Sequence, residues 1–418
     1  MNTIKLKTYN YYPDFNNENL KNRAINIINA IKNKTAIGYE NFGFHELALN
    51  FNQSNVIEIE EFVQKFLDYQ IEDLIVFSNS QSIDNFKMGE NFLFENDLLK
   101  NSKINCHFFN NDGSINFWFE QLEEIKHLLA KETTAFLFAS LTPFNSAFLN
   151  FLKYCCNIYQ QNIGYYRALE KMFIVAKEEV EEQLINLKIE ENNVLIVPNI
   201  LHNHFAFFSK INLILLLTKG ANISDLLEGY SIASQDFTSK DITINIAFQL
   251  GYINAELVKD NKIKFLIGAS KNLEQSLLNI SKLKNQLYLN NNIYTSYAIF
   301  PEDIYTYGQY LIDTNYHNNV TFFQIINEKT DFLISDEINL KDMNFKIKNN
   351  KLSEYSYQVN KSLINTLSNI ASLPVSKITL TDNSEVTLGK FVALIYWEFI
   401  YQTYLLKTNP FNFKESYE

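Results

Sequence analysis

Residues 74–78 read Leu-Ile-Val-Phe-Ser, a short apolar run set between polar neighbours. It is too short for a core helix and fits a strand buried on both faces of a sheet. The runs 136–141 (FLFASL), 172–176 (MFIVA) and 194–198 (VLIVP) have the same character. Helical periodicity fills the intervals, at 57–69, 117–130, 146–161 and 177–187. Alternation of this kind implies parallel strands joined by crossover helices. A second set follows, with strands expected at 263–268, 297–300 and 378–380 and helices at 273–287, 353–371 and 388–407. A further helix over 225–233 carries Asp225 and Glu228 in its early turns, with Asn222 or Ser224 as its cap. The fold class expected is α/β, two domains in tandem, each a parallel sheet flanked by helices. The boundaries expected are an N-terminal helical segment at 1–66, a first domain at 67–210 and a second at 211–418, with the joint near 205–220.

Composition bounds the function. The 418 residues suit two domains of ordinary size, and 46% apolar with 15% aromatic content excludes disorder. The net charge of -11 disfavours nucleic acid and anionic membrane surfaces as partners. Arg23 and Arg167 are the only arginines, so bidentate anion clamps are scarce. Cys106, Cys155 and Cys156 have no framework spacing and suit a reducing compartment. Adjacent Cys155 and Cys156 on an apolar helix read as core packing. The N-terminus shows no signal peptide. The run 211–217 is too short to cross a bilayer, and 391–406 contains Glu398 and Gln402 and reads as a buried helix. A soluble cytoplasmic protein is expected.

Four further segments carry a resemblance. These are 41–49 (NFGFHELAL), 212–229 (NLILLLTKGANISDLLEG), 307–310 (YGQY) and 404–411 (YLLKTNPF). In order and spacing they resemble the bacterial branch of the glucose-6-phosphate isomerase family, from Phe42 onward. The resemblance implies two tandem sugar-isomerase domains, with the active site between domains and at a homodimer contact. It also implies aldose–ketose isomerisation by proton transfer, which needs a carboxylate base and a hydroxyl-rich phosphate cradle.

The residues at the family's chemical positions differ from its pattern. Its first glycine turn, G-I-G-G-S-Y-L-G, corresponds here to 77–85 (FSNSQSIDN), where only Ser82 matches and Asp84 adds negative charge. Its phosphate cradle, S-K-S-G-T-T-T, corresponds to 139–145 (ASLTPFN). That run keeps two hydroxyls, Ser140 and Thr142, while Pro143 removes a backbone donor. In its arginine motif, at 197–206 (VPNILHNHFA), His202 and His204 stand where the family has glycine and arginine. A histidine does not replace a permanently charged planar fork. Two histidines on one face of an extended segment, without a third ligand, do not make a metal site, so no metal and no cofactor is expected. In 308–314 (GQYLIDT), Gln309 matches the family and Asp313 takes the place of its catalytic glutamate, one methylene shorter. The family's terminal lysine is missing, with Glu418 at its position and Lys414 the nearest cation. The motifs do not place the family's ring-opening histidine, and His317 reads as a surface residue.

The segments that pack the fold resemble the family, whereas its chemical motifs do not. Defects of about a hundredfold each would multiply toward background. The expectation is a catalytically inactive homologue serving as a structural or protein-interaction subunit of an intracellular assembly, such as a cytoskeletal or motility complex. Its partners would be other proteins or a second copy of the chain. The alternative is a divergent working isomerase acting on glucose 6-phosphate and fructose 6-phosphate, with Asp313 as base. Ser82, Ser140, Thr142, His202, His204 and Gln309 would then mark a vestigial or altered substrate site.

Overall fold

The computed structural model describes residues 4–51, 53–94, 104–260, 263–286, 293–313, 318–329, 331, 333 and 351–413. Its strands are β1 (Ile4–Tyr9), β2 (Asp73–Ser78), β3 (Asn105–Asn110), β4 (Thr134–Ala139), β5 (Met172–Ala176), β6 (Val194–Ile196), β7 (Ile263–Gly268), β8 (Tyr294–Ile299), β9 (Asn318–Asn327) and β10 (Val375–Asp382). They form two five-stranded sheets, ordered β3-β2-β4-β5-β6 and β1-β10-β9-β7-β8. The chain divides into two units, Glu40–Glu90 with Asn96–Ser224, and Met1–Tyr39 with Asn91–Glu95 and Asp225–Glu418.

The first sheet is parallel throughout. Every residue of β2 and β4 is buried, as their unbroken apolar runs require. Phe77 stacks at 5.3 Å on Phe109 and 5.4 Å on Phe138. Helix Ser146–Ile163 lays Phe148, Phe151, Cys155 and Tyr159 against this face, so both adjacent cysteines pack in the core. Burial pushes the Cys155 thiol up to about 12 and Cys156 well above its ordinary value, which leaves both as thiols.

The second sheet is parallel except for β1, which runs antiparallel along β10. The N-terminal 66 residues are therefore not all helical: β1 precedes helices Glu18–Lys32, Gly43–Asn50 and Gln53–Asp68. Strands β1, β3 and β9 fall outside the segments expected from periodicity, because polar residues interrupt their apolar pattern. The expected strands at 297–300 and 378–380 lie partly or wholly within the longer β8 and β10. The units also divide the chain differently from boundaries at 66 and 210. Helix Lys210–Thr218 belongs to the first unit, where it packs on Gln53–Asp68 with seven of its nine residues buried. Residues 1–39 belong to the second unit.

In the second unit, helix Glu385–Leu405 is buried almost all round. It crosses helix Ile223–Phe237 at a reciprocal pair of glycines. A Cβ on Gly229 would meet the Val386 carbonyl oxygen at 2.1 Å, and one on Gly389 would meet that of Leu226 at 2.0 Å. The same helix carries buried Glu398, whose carboxylate oxygens each lie 2.9 Å from Lys284 Nζ. Asn254 Nδ2 donates to Glu398 Oε1 at 2.5 Å, and Lys284 Nζ donates to Gln402 Oε1 at 2.6 Å. Burial alone would raise the Glu398 pKa; Lys284, Lys264 and these hydrogen bonds override it and hold the carboxyl below its usual range.

The helix crossing generates a test. Gly389→Ala should destabilise the second unit by about 1–3 kcal/mol, as overpacking of a tight core does. Urea unfolding read by far-UV circular dichroism should show the lower midpoint. An unchanged midpoint would mean that the helices can part without cost.

Candidate functional site

At the carboxyl edge of a parallel sheet, strand ends and helix N-termini aim backbone N–H groups outward, and this is where such sheets bind ligands. In the first unit the loops after β2, β4, β5 and β6 form that edge. Asn79 follows β2 directly and is 1% exposed. Its Oδ1 accepts from Ser82 Oγ at 2.8 Å, from Leu141 N at 3.2 Å and from Ser140 Oγ at 3.3 Å. Ser140 Oγ also lies 2.6 Å from its shorter acceptor, Thr142 O, and accepts from Thr142 N at 3.2 Å. Pro143 has no N–H. Phe144 N donates to Gln183 Oε1 at 2.8 Å, and Asn145 N donates to Asn111 Oδ1 at 2.9 Å. Every backbone N–H from Leu141 to Asn145 is therefore taken up within the unit. At the start of helix Ser80–Leu93, Ser80 N donates to Asp112 Oδ2 at 3.1 Å, so a carboxylate of the chain sits where an external anion would bind.

The structure thus brings Ser82, Ser140 and Thr142 together as the sequence suggested, but it turns Ser82 and Ser140 inward onto Asn79. It also joins this cluster to the histidine segment. Lys177 N donates to Ser140 O at 3.3 Å, and Lys177 Nζ donates to Asn203 Oδ1 at 3.4 Å. His202 caps the short helix Asn203–Phe205, its Nδ1 accepting from His204 N at 3.4 Å, and the two rings lie 5.5 Å apart. Burial pushes His202 down to about 4, with His204 and Lys177 adding to the effect. Burial alone holds His204 at about 4. His45, on helix Gly43–Asn50, is held near 4 by burial against the opposing charge of Glu46. Burial lowers Lys177 as well, with Glu179 opposing. Near neutrality the edge therefore offers uncharged imidazoles and one half-buried lysine in place of a guanidinium. Among the described residues, no group of three or more His, Cys, Asp or Glu is placed to hold a metal ion.

In the second unit, a turn of π-helix at Ile304–Gly308 leads into helix Gln309–Asp313. Gly308 and Leu311 are buried, which leaves Gln309 and Asp313 exposed, one helical turn apart on the outer face. His317, Lys414 and Glu418 lie outside the described residues.

Sequence reasoning missed Asn79, Asp112, Lys177 and Gln183. Lys177 and Gln183 fall in the helical interval 177–187, where periodicity marks neither as a site residue. Asn79 and Asp112 act through partners some thirty to sixty residues away in sequence, so spacing carried no signal for them.

Two α/β units, each built on parallel strands flanked by helices, have the architecture of tandem sugar-isomerase domains. Solved structures share this fold. A hypothetical protein from Thermus thermophilus superposes with a TM-score of 0.78 at 14% identity, covering 98% of this chain and 96% of that one. A glucose-6-phosphate isomerase from Chlamydia trachomatis gives 0.75 at 11%, covering 99% and 86%. No protein-family model matches the chain. Curated relatives align along nearly all of it. The glucose-6-phosphate isomerase of Mycoplasmopsis synoviae is 22% identical over 409 residues, 94% of this chain and 91% of the relative. That of Mycoplasmopsis pulmonis is 24% identical, covering 99% and 96%. The chain is thus similar, nearly end to end, to bacterial glucose-6-phosphate isomerases.

The depressed histidines fix a pH dependence. Between about pH 4 and 6.5 the folded chain binds fewer protons at His45, His202 and His204 than the unfolded chain does. Their contribution is complete above pH 6.5 and is lost as pH falls toward 4, by at most about 3 kcal/mol per residue. The urea midpoint, followed from pH 7 to 4, should fall less in a His202→Asn/His204→Asn double variant than in the parent. Equal falls would show that the two imidazoles accept protons in the fold without penalty.

Proposed function

We propose that this family member has given up sugar-phosphate binding in its first unit and serves as a non-catalytic, protein-binding subunit in the cytoplasm. The observation that carries the reading is the closed donor account at the first sheet's carboxyl edge. A phosphate needs free N–H and O–H donors, and each charge-assisted bond to one is worth about 1.5–3 kcal/mol. Here Asn79, Asp112, Asn111 and Gln183 already accept from the backbone donors of that edge. Binding a phosphate would mean breaking these bonds and leaving the buried acceptors of Asn79 and Asn111 unpaired. The neutral His202 and His204 add no charge to offset that loss.

A role in protein association has its own support. Ile115, Phe117, Phe119 and Tyr154 are between 43% and 54% exposed on the first unit, with Phe119 and Tyr154 5.9 Å apart. Exposed apolar groups of this kind mark contact surfaces. The partner would be another protein of an intracellular assembly, a cytoskeletal or motility complex among the candidates, or a second copy of the chain. No helix among the described residues is long and apolar enough to cross a membrane. Two facts favour a divergent working isomerase instead: curated relatives named glucose-6-phosphate isomerase align nearly end to end, and Asp313 keeps an exposed carboxylate.

A coupled assay converting fructose 6-phosphate to glucose 6-phosphate separates the two. The expected result is equal, background turnover in the parent and in Asp313→Ala, with no rise in melting temperature on adding either sugar phosphate. Turnover that drops a hundredfold or more in Asp313→Ala would overturn the reading and make the chain a working isomerase.

A further inference from the structure

The carboxyl edge of the second sheet borders a cavity of about 870 Å³, a size that suits a small organic molecule. Ala269 after β7, Phe300 after β8 and Glu328 after β9 line it, as do the first turns of helix Leu352–Asn365. Gln324 and Ile326 share one face of β9. Further back on that face, Val320 and Phe322 belong to a closed core with Ile364 and Leu367. At Gln324 and Ile326 the core gives way to the cavity. Ile326, Leu352 and Tyr357 on its wall are 41%, 44% and 44% exposed, so apolar side chains stand open around it.

The positive groups on this wall are already answered by the chain. Lys271 Nζ lies 3.1 Å from Glu274 and 3.5 Å from Glu302, and Lys351 Nζ lies 3.6 Å from Asp331. Asp331 also accepts from Ser353 N at 3.0 Å and from Ser353 Oγ at 2.7 Å. A carboxylate of the chain thus occupies the start of helix Leu352–Asn365, where an external anion would sit. Two acceptors are left over. Glu328 receives a hydrogen bond from Ser270 and meets the like charge of Asp331, and no cation stands beside it among the described residues. Burial raises its carboxyl above the ordinary value, the Ser270 hydrogen bond opposes the rise and Asp331 adds to it. Gln324 is 3% exposed, and its Oε1 has no hydrogen-bond partner among the described residues. A buried amide oxygen and an uncompensated carboxylate call for N–H donors and a positive charge. Among the described residues no three His, Cys, Asp or Glu are grouped to hold a metal ion, which favours an organic cation.

We propose that this cavity binds a small primary amine with an apolar body. Its ammonium group donates to Glu328 and to Gln324 Oε1, and its body lies against Ile326, Leu352 and Tyr357. The ammonium supplies in one group the charge that the carboxylate lacks and the donor that the amide oxygen lacks. A neutral alcohol of the same shape brings a donor without the charge, and an organic acid meets the repulsion of Glu328. Water alone fills the space and leaves the apolar side chains wet. The site lies within the second unit and is independent of the first sheet's carboxyl edge.

The test uses the full chain near neutrality and at constant ionic strength. Thermal unfolding is followed while 2-phenylethylamine or hexylamine is added, with 2-phenylethanol and 3-phenylpropionate as controls. Each amine should raise the melting temperature to a plateau, because a ligand that binds only the folded chain stabilises it by mass action. The alcohol and the acid should leave it unchanged. Glu328→Gln keeps the shape and removes the charge, and it should weaken amine binding about tenfold or more, as loss of a charge-assisted hydrogen bond does. Gln324→Leu removes the unpaired oxygen and should weaken binding about threefold or more. If one variant fails to fold, the other still decides. Coincident curves for amine and alcohol would overturn the proposal, as would no response to either amine or an amine response of full strength in Glu328→Gln.

Discussion

The loops and helix starts that follow parallel strands carry backbone N–H groups that no ladder uses, and a fold that buries them must find acceptors for them. The first unit rests on how that requirement is met. Asn79 Oδ1 draws together the ends of β2 and β4 by accepting from Ser82, Ser140 and Leu141. Asp112, Asn111 and Gln183 take the neighbouring donors. Loops that would otherwise await a ligand are held by the chain's own side chains, and the conformations around 80, 140 and 177 follow from that.

The relation to the isomerase family has the same two-sided character. The segments that resemble it are packing elements. Phe42 and Phe44 are fully buried, and Phe44 stacks on Phe205 at 5.2 Å. Gly229, which ends the motif at 212–229, is the close-approach residue of a helix crossing. Phe411 is buried near the end of the described chain. The chemical positions follow other rules, since a family's fold and its site answer to separate constraints.

Much of the fold was legible. The runs at 74–78, 136–141, 172–176 and 194–198 are apolar because both of their faces are covered, and an unbroken apolar run survives as a signal without any alignment. Strand β9 was not legible for the opposite reason. Asn318, Asn319, Thr321 and Gln324 are all buried in it, so a central strand reads as a polar one. Strand β1 alternates lysine with apolar residues at a sheet edge, a pattern too short to separate from a loop. At the candidate site the positions Ser82, Ser140, Thr142, His202 and His204 were readable from motif order. The direction in which their side chains turn was not, because it depends on Asn79 reaching across two strands.

Strand β1 has a consequence for the order of events during synthesis. It is made before every other described element, and its partner β10 lies more than three hundred and sixty residues downstream. The first unit, within residues 40–224, can close while the second is still being made. Throughout that interval Ile4–Tyr9 is an unpaired strand waiting for an edge. Its pairing is the longest loop closure in the sheet, so it belongs to the late, slow phase of folding. Lys5 and Lys7, spaced through this short strand, are the kind of residues that keep such a waiting edge from pairing with another chain.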